Sequence, residues 1–380
     1  MQYAQLGKTN LKVSIMGIGG VPLNEMDFEA TKEIIDFGSE FGINLIDIFM
    51  ASSKVRSNIG KSIMGKREKF IIQGHIGTII EADKTVRTRN LQETQESFEN
   101  LLKELQTDYI DIGMLFFVDS PEDFHDVFET EIIEYAQQLK ATGKIKALGM
   151  GSHNPKTALK AVKTGLLDVL MFSINPGYDL EKHDVDIYTL LSPEKDEKKE
   201  WSIDPERQKL YITCEEMGVG INVMKTLGAG TLLSAESSPF AKALSPTQCI
   251  NYALNRPGVA SVILGFKNTE EIKEALKYLN ATEEEKSYSH IFTGQDGIIA
   301  NGRCMYCNHC QPCPSMIDIA AVMKLLDMAK LQKVLSPTVV DHYGALAKNA
   351  DDCVLCGDCE KNCPFGVSVC EKMKEAQAIF

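Results

Sequence analysis

Long hydrophobic runs are absent from this sequence of 380 residues. A membrane-spanning helix needs about 18 or more consecutive apolar residues, so none is expected. Positive charge is also in short supply, because 40 Lys and Arg residues face 53 Asp and Glu residues and leave a formal net charge of −13. Nucleic acids and anionic membrane surfaces attract basic proteins, so neither is an expected partner.

The sequence also lacks the G-x-G-x-x-G fingerprint that follows the first strand of dinucleotide-binding folds. Its nearest match is Gly17-Ile18-Gly19-Gly20-Val21-Pro22, which has proline at the sixth position. That proline would block the helix whose N-terminus should hold a pyrophosphate. A doubly wound sheet is therefore the less favoured of two possible α/β folds.

Cysteine is rare along most of the chain and concentrated at its far end. Eight of the 11 cysteines lie in two runs, Cys304-x2-Cys307-x2-Cys310-x2-Cys313-Pro314 and Cys353-x2-Cys356-x2-Cys359-x3-Cys363-Pro364. Soft thiolates are the preferred ligands of iron–sulfur clusters, and the second run has the full bacterial ferredoxin spacing. The two runs predict two [4Fe-4S] clusters and a function that involves electron transfer.

In two-cluster ferredoxins the cysteine before the proline completes the other cluster. This rule assigns a first cluster to Cys304, Cys307, Cys310 and Cys363, and a second to Cys313, Cys353, Cys356 and Cys359. The first run has x2 rather than x3 before its last cysteine, which leaves the crossed pairing open. Zinc is the alternative occupant, but a zinc site needs only four sulfurs, and here eight stand in two triple-spaced runs.

The sequence begins without an apparent secretory leader, so a cytoplasmic protein without disulfides is expected. The three remaining cysteines, Cys214, Cys249 and Cys370, are interpreted as small buried packing residues.

Short apolar runs alternate with helical patterns along residues 1–290. Near-continuous apolar strands are typical of buried parallel sheets. Eight strands, each followed by a helix, in about 270 residues predict a (β/α)8 TIM barrel. The predicted strands are Val13–Met16, Ile43–Asp47, Phe70–Gln73, Ile110–Leu115, Ala147–Met150, Val169–Phe172, Gly220–Met224 and Val259–Leu264.

Three further segments complete the predicted organisation. Residues 291–380 are predicted to form a small α-helical ferredoxin-like domain, because apolar residues recur at helical spacing between the cysteine runs until Pro337. Residues Met1–Lys12 are expected to form a hairpin that closes the barrel floor. The charged loop Tyr178–Pro205 is interpreted as a solvated excursion, with a lid at the barrel mouth as the alternative.

The sequence resembles the aldo-keto reductases over almost the whole of residues 1–285. The resemblance is carried by Leu6-Gly7-Lys8-Thr9 through Gly20, Phe41-Gly42-Ile43-Asn44-Leu45-Ile46-Asp47, Leu105 through Asp111, Gly143 through Gly149, and Asn255 through Gly265. Some members of that family also carry a ferredoxin-like module after the barrel. The resemblance implies a TIM barrel that reduces carbonyl groups with a nicotinamide cofactor, usually NADPH.

The family's catalytic residues are an Asp, a Tyr acid tuned by a Lys, and a His that orients the substrate. Asp47 matches the Asp, but Ser52 stands at the Tyr position, His75 at the Lys position and Phe116 at the His position. Three of the four positions therefore depart from the family. Asp47 and His75 at the barrel mouth remain the candidate acid–base pair.

The resemblance also implies a cofactor site after strands five, seven and eight. The family's nicotinamide-binding pair matches the stretch Gly151-Ser152-His153-Asn154, and a cation at Lys267 would favour NADP. The candidate cofactor residues are Gly151, Ser152, Asn154, Lys225, Leu227, Gly228, Gly265, Lys267 and Glu271. NADP(H) or NAD(H) is expected, and a flavin is the alternative, since a flavin can convert hydride transfer into single-electron steps.

Three functions are compatible with these observations. The first is an oxidoreductase that couples redox chemistry of a small-molecule substrate at the barrel mouth to two clusters, with an electron-transfer protein as a possible partner. The second is a barrel without catalysis that serves as an electron-transfer or redox-sensing subunit. The third is plain NADPH-dependent carbonyl reduction with a non-standard acid, taken from His75, His153 or Tyr178.

Overall fold

The computed structural model describes residues 1–180, 203–294, 297–298, 302, 304–330, 332 and 334–380. These residues divide into two compact units. The barrel unit comprises Met1–Ile174, Gly218–Thr226 and Gly258–Leu279, and the cluster unit comprises Asn175–Met217, Leu227–Pro257 and Asn280–Phe380. The predicted boundary at residue 290 divides the chain into consecutive domains and remains a prediction.

Eight parallel strands close into a barrel in the order β3-β4-β5-β8-β9-β10-β11-β12, which confirms the predicted (β/α)8 fold. Their residues are almost all buried, as expected for strands covered by helices on the outside. The barrel strands are β3 Met16–Gly19, β4 Leu45–Ile48, β5 Ile71–Ile76, β8 Ile110–Leu115, β9 Ile145–Ser152, β10 Val169–Ser173, β11 Gly220–Met224 and β12 Val259–Gly265.

The helices of the barrel unit begin mostly at residues that cap their free N–H groups, such as Asp27, Asn90 and Ser120. The helical pattern of residues 121–141 forms two helices, because Glu129 ends the first and Thr130 caps the second. The helices of this unit are Phe28–Glu40, Ser53–Ser62, Leu91–Leu105, Pro121–Phe128, Glu131–Ala141, Pro155–Val162 and Thr269–Leu276.

Two hairpins accompany the barrel. The first, β1 Tyr3–Gln5 with β2 Lys12–Ser14, is the predicted N-terminal hairpin. The predicted strand Val13–Met16 is wrong in position: Val13 and Ser14 belong to this hairpin, and the barrel strand begins at Met16. The second hairpin, β6 Thr78–Glu81 with β7 Lys84–Arg87, was not predicted from the sequence.

The first hairpin places Leu6 and Val13 in the buried core, together with Leu45, Ile112 and Val169 from the barrel strands. Both hairpin residues are completely buried. Such a plug excludes water from one end of the barrel and leaves the other end for chemistry.

The cluster unit is helical, as predicted, apart from the two short strands β13 Thr293–Gly294 and β14 Gly297–Ile298. Pro337 does not simply end a helical run, because it begins a second helix. The predicted loop Tyr178–Pro205 lies mostly outside the described residues. The helices of this unit are Pro176–Asp179, Pro205–Met217, Pro246–Leu254, Glu283–Lys286, Ile319–Lys330, Pro337–Gly344, Asp358–Asn362 and Val369–Ile379.

Gly7 at the hairpin tip tests how tightly the plug is held. Gly7 has φ +53°, and a Cβ added there would lie 2.3 Å from the Gly218 carbonyl oxygen. Gly165 also has positive φ, +75°, but an added Cβ would meet nothing within 4 Å. Gly7→Ala should therefore lower the free energy of unfolding by about 2 kcal/mol more than Gly165→Ala, measured by urea denaturation. Equal losses in the two variants would show that the hairpin tip moves freely.

Candidate functional site

Two predicted catalytic residues, Asp47 and His75, meet inside the barrel. Residues two apart in a strand point to the same face, so Gln73 and His75 of β5 point the same way. Asp47 of β4 lies opposite Gln73 in the strand register. As a result, His75 Nε2 lies 3.0 Å from Asp47 Oδ1, with only 4% of His75 and 2% of Asp47 exposed.

A network of buried side chains fixes the orientation of this pair. A carboxylate only accepts hydrogen bonds, so Gln73 presents its amide nitrogen, which donates to Asp47 Oδ1 at 2.7 Å. The Gln73 carbonyl then accepts from Asn222 Nδ2 at 2.8 Å. The same Gln73 nitrogen lies 3.4 Å from the sulfur of Met171. Four barrel strands thus contribute side chains to one connected network of buried contacts.

The other ring nitrogen of His75, Nδ1, is buried and has no hydrogen-bond partner among the residues that the structure describes. Since Nε2 faces a carboxylate, a neutral His75 carries its proton on Nε2 and leaves a lone pair on Nδ1. Buried polar atoms without partners are rare, and they often mark the place of a ligand atom. Nδ1 is therefore the reactive position that this arrangement offers.

Aromatic rings surround the imidazole of His75. Phe49 and Phe116 stack with their centroids 6.1 Å apart, and His75 approaches both rings edge-on at 6.3 and 5.4 Å. Phe116 thus occupies the family's His position with an apolar ring, which cannot orient a substrate oxygen by hydrogen bonding. The half-buried Phe49 and Phe116 form an apolar wall beside the polar atom Nδ1.

Arg89 holds the turn that carries this wall. Its guanidinium donates to the carbonyl oxygens of Phe116 and Phe117 at 3.0 and 2.9 Å. Phe117 needs this support because its φ of +54° is unfavourable for a side chain with a Cβ. Arg89 also lies 3.6 Å from Asp123. The position of Phe116 is therefore fixed by buried contacts rather than by a flexible loop.

The other candidate acids are less well suited to chemistry near neutral pH. Ser52, at the family's Tyr position, precedes the helix Ser53–Ser62 and makes no capping bond with its side chain. Burial raises the pKa of Tyr178 to about 12, far from the pH at which it could give up a proton easily. His153 Nδ1 is bonded to Asp119 at 2.9 Å.

Ser152 and Asn154, in the stretch that was matched to the family's nicotinamide-binding pair, both make hydrogen bonds within the protein. Ser152 Oγ donates to Asp119 Oδ1 at 2.9 Å, and Asn154 Oδ1 accepts from the backbone N–H groups of Lys156 and Thr157. Burial acts to raise the pKa of Asp119, but hydrogen bonds from His153 and Ser152 hold that pKa below its ordinary value. Asp119 is therefore a stable anion, and it accepts the hydrogen bond that the Ser152 hydroxyl could otherwise donate to a ligand. Gly151 lies in β9 just before Ser152.

The remaining predicted cofactor residues are placed as follows. Lys225 directly follows β11 with φ +61°, and burial lowers its pKa. In the cluster unit, Leu227 and Gly228 open a turn in which Gly228, Ala229 and Gly230 all have positive φ.

After β12 the chain reaches the last group of predicted cofactor residues. Gly265 ends that strand, and the Lys267 N–H donates to Glu271 Oε2 at 2.8 Å. The Glu271 carboxylate is thus engaged by the backbone, whereas the Lys267 side chain is exposed.

The two cysteine runs have left-handed residues at matching positions. Tyr306 and Leu355, each two residues after the first cysteine of its run, have φ +56°. Asn308 and Gly357, each directly after the second cysteine, have φ +58° and +78°. Left-handed residues at matching positions coil both loops in the same way, and repeated loops of this kind direct successive cysteines toward one centre.

Each cysteine run lines its own cavity, together with one cysteine from the other run. The first cavity is lined by Cys304, Cys307, Cys310 and Cys363. The second is lined by Cys313, Cys353, Cys356 and Cys359. Four cysteines around an otherwise mostly apolar cavity are the donor set that a [4Fe-4S] cluster requires.

Thiols in these cavities have raised pKa values. Burial raises the pKa of Cys310 to about 12 and that of Cys359 to about 12, so both are protonated at neutral pH without a bound metal. In the described ranges, no group of three or more His, Cys, Asp or Glu side chains is arranged to hold a single metal ion. Cys214 and Cys249 are buried as interpreted, whereas Cys370 is half-buried and lines the second cavity.

Gln73, Asn222 and Asp119 were missed from the sequence. Gln73 and Asn222 are polar residues within otherwise apolar barrel strands, and this contrast is the signal that could have found them. Asp119 lies in a loop and carries no such signal.

Comparison with known proteins gives two family matches. Residues 15–246 match the Aldo/keto reductase family, and residues 303–368 match the 4Fe-4S dicluster domain. None of the described helices is both long enough and apolar enough to cross a bilayer.

Individual relatives cover most of the barrel. The uncharacterized oxidoreductase YqkF of Bacillus subtilis is 25% identical over 317 residues, which span 78% of this chain and 98% of that protein. The aldo-keto reductase YhdN of Bacillus subtilis is 29% identical over 207 residues, 52% of this chain and 60% of that protein. The structure of aldo-keto reductase AKR11C1 from Bacillus halodurans shares the fold, with a TM-score of 0.60, 23% identity, and coverage of 77% of this chain and 95% of that one.

Gln73 tests whether the buried network holds the site together. Gln73→Leu leaves both Asp47 and Asn222 with a lost hydrogen bond, so it should lower the free energy of unfolding by about 2 to 3 kcal/mol in urea denaturation. Met171→Leu is the matched control, because Met171 contacts the same amide through a weak acceptor, and it should cost less than about 1.5 kcal/mol. A Gln73→Leu variant as stable as the control would mean that water replaces the lost bonds.

Proposed function

The chain belongs to the aldo/keto reductase family, and from that premise we propose that it couples redox chemistry of a small molecule in the barrel to two [4Fe-4S] clusters. The observation that carries the proposal is the pair of cavities, each lined by three cysteines of one run and the last cysteine of the other. When bound, such clusters supply single-electron transfer. The crossed set of ligands is the one expected for two-cluster ferredoxins.

In the barrel, we assign proton transfer to His75 and its orientation to Asp47. Asp47 accepts from both Gln73 and His75, which keeps the imidazole proton on Nε2 and the Nδ1 lone pair toward the open position. A protonated His75 can donate through Nδ1 to a substrate oxygen, and a neutral one can take the proton back. Asp47 stabilises the charged imidazolium in between. This replaces the Tyr acid that the family ordinarily uses.

The surroundings of Nδ1 support a substrate with an apolar body and one polar oxygen. Phe49 and Phe116 offer ring faces and edges, while His75 offers a single hydrogen-bonding atom. A small aromatic aldehyde or ketone has this combination. Apolar walls with a few placed polar groups are typical of small-molecule sites.

The residues that would hold a nicotinamide in the family's manner do not fit that task here. Ser152 is bonded to Asp119, and Asn154 caps a helix. This favours a cofactor held by backbone groups over one clamped at its amide. A flavin, which can exchange one or two electrons, is the alternative to NADP(H) or NAD(H).

Iron content tests the crossed ligand sets without any spectral assignment. The wild-type protein should hold about eight irons, four for each cluster. Cys307→Ala combined with Cys363→Ala removes two ligands of the same cluster, so this double variant should keep about four irons. Cys356→Ala combined with Cys363→Ala damages both clusters and should keep almost none. Uncrossed ligand sets would give the reverse pattern in the two double variants.

The variant Asp47→Asn tests whether the barrel catalyses the reduction of a small molecule. Under anaerobic conditions, with NADPH or dithionite as the reductant, Asp47→Asn should slow the reduction of an aromatic aldehyde to its alcohol by about 100-fold or more, because His75 loses its anionic partner. Ser52→Ala is the control and should react at the wild-type rate. Product is quantified by chromatography, and the visible absorption of the clusters is recorded in parallel.

The two reductants separate the possible outcomes of this assay. Bleaching of the cluster absorption by NADPH, with product formation, supports coupling to a nicotinamide. Product with dithionite alone removes the nicotinamide from the proposal, and two resolved absorption peaks reveal a flavin. Bleaching without product in any variant identifies an electron carrier with an inactive barrel, and full activity of Asp47→Asn removes Asp47 from the site.

A further inference from the structure

Arg256 places a fully buried positive charge against the first cysteine loop. Only 1% of the residue is exposed. Its Nη2 donates to the Met305 carbonyl oxygen at 2.9 Å and to the Tyr288 hydroxyl at 3.2 Å, and its Nε donates to the Tyr252 carbonyl oxygen at 3.2 Å. The guanidinium also lies over the rings of Tyr252 and Tyr306, at 4.4 and 5.0 Å from their centroids. All these residues belong to the cluster unit.

The described residues provide no direct anionic partner for this cation. None of their carboxylates is within ion-pair distance of Arg256, and Arg256 Nη1 is buried without a hydrogen-bond partner. Asp179 attracts the guanidinium electrostatically and is bridged to it by Tyr252, whose hydroxyl donates to Asp179 at 3.0 Å. Asp179 is itself paired with Arg207 at 3.5 Å. Asp179 is thus shared between two buried cations, and a further anion near Arg256 would stabilise its charge.

The first cavity supplies the place for that anion. Met305 and Tyr306, which contact Arg256, lie between the ligand positions Cys304 and Cys307. Tyr288 donates to the same Met305 carbonyl at 2.8 Å and reinforces the contact. A cluster with four thiolate ligands is anionic, and it gains negative charge when it is reduced.

The second cavity has no comparable contact with a buried cation. No Arg or Lys is among the described residues that line either cavity. Near the second cavity, the exposed Lys361 is paired with Asp358, and Glu360 accepts from the Cys370 N–H at 2.7 Å. The first cavity also has a carboxylate beside it, because Asp327 accepts from the Tyr306 hydroxyl at 2.7 Å. The two cavities thus differ in the buried Arg256 guanidinium that contacts the first cysteine loop.

We propose that Arg256 raises the reduction potential of the first cluster above that of the second, so that an electron entering the pair rests on the first cluster. A nearby cation stabilises the added electron, and a nearby carboxylate opposes it. Arg256 thus affects where the electron resides. It acts on the cluster and does not contact the substrate. This inference rests on the proposed function, because it requires both cavities to hold [4Fe-4S] clusters.

The test is an anaerobic redox titration followed by electron paramagnetic resonance. The wild-type protein should show two one-electron potentials. Arg256→Met should lower the higher one by at least tenfold in the reduction equilibrium constant, which is 59 mV for one electron. Glu360→Gln should raise the lower one. Tyr288→Phe is the matched control: it breaks a hydrogen bond to the same Met305 carbonyl without changing charge, and it should shift neither potential tenfold.

Iron analysis separates the failure of this inference from the failure of the proposed function. Fewer than about eight irons in the wild-type protein would defeat the proposed function. Eight irons in Arg256→Met with unchanged potentials would overturn only the role of Arg256. If Arg256→Met loses iron, Arg256→Gln, which keeps a donor for Met305, serves as the second neutral variant and should show the same tenfold shift. Loss of iron from both neutral variants, with iron retained in Arg256→Lys, would assign Arg256 a structural role instead.

Discussion

The cluster unit depends on one constraint: neither cysteine cavity is complete without the other run. Cys363 closes the cavity of the first run, and Cys313 closes that of the second. The helix Ile319–Lys330 begins just after the first run, and Ile319 lines both cavities. Loop conformation, helix packing and ligand geometry are therefore coupled between the two cavities. Such mutual dependence suits clusters that exchange electrons, because it also fixes the distance between them.

In the barrel, the orientations of several buried side chains depend on Asp47. As an acceptor-only group it determines the amide orientation of Gln73 and the tautomer of His75, and Gln73 in turn orients Asn222. The family's catalytic Asp is thus retained while its partners have changed. Phe116 and His75 replace the polar pair that ordinarily flanks a Tyr acid. An imidazole in place of the family's phenol is the acid that we propose for this barrel.

The sequence predicted the architecture well because the barrel strands are apolar on all sides. Only the first strand was displaced, since Val13 looks like a barrel residue but packs as part of the hairpin plug. The ligand sets of the two clusters were predicted from the cysteine spacing and the ferredoxin pairing rule, and they remain a prediction. Arg256 could not be found from the sequence, because its partners Tyr288 and Met305 are distant in sequence and periodicity carries no information about them. Asp119 shows the same limit, since it acts on Ser152 across more than 30 residues.

The interleaving of the two units has a consequence for how such a protein can be built. The segment Leu227–Pro257 follows a barrel strand, yet it belongs to the cluster unit, where Arg256 is covered by Tyr288 and Met305. If only the C-terminal residues were transplanted onto another barrel, Arg256 would stay behind. The first cysteine loop would then lose the hydrogen bond from the guanidinium to Met305. The iron–sulfur part is thus not a detachable cassette. A recombination that exchanged it would have to carry two loops of the barrel along.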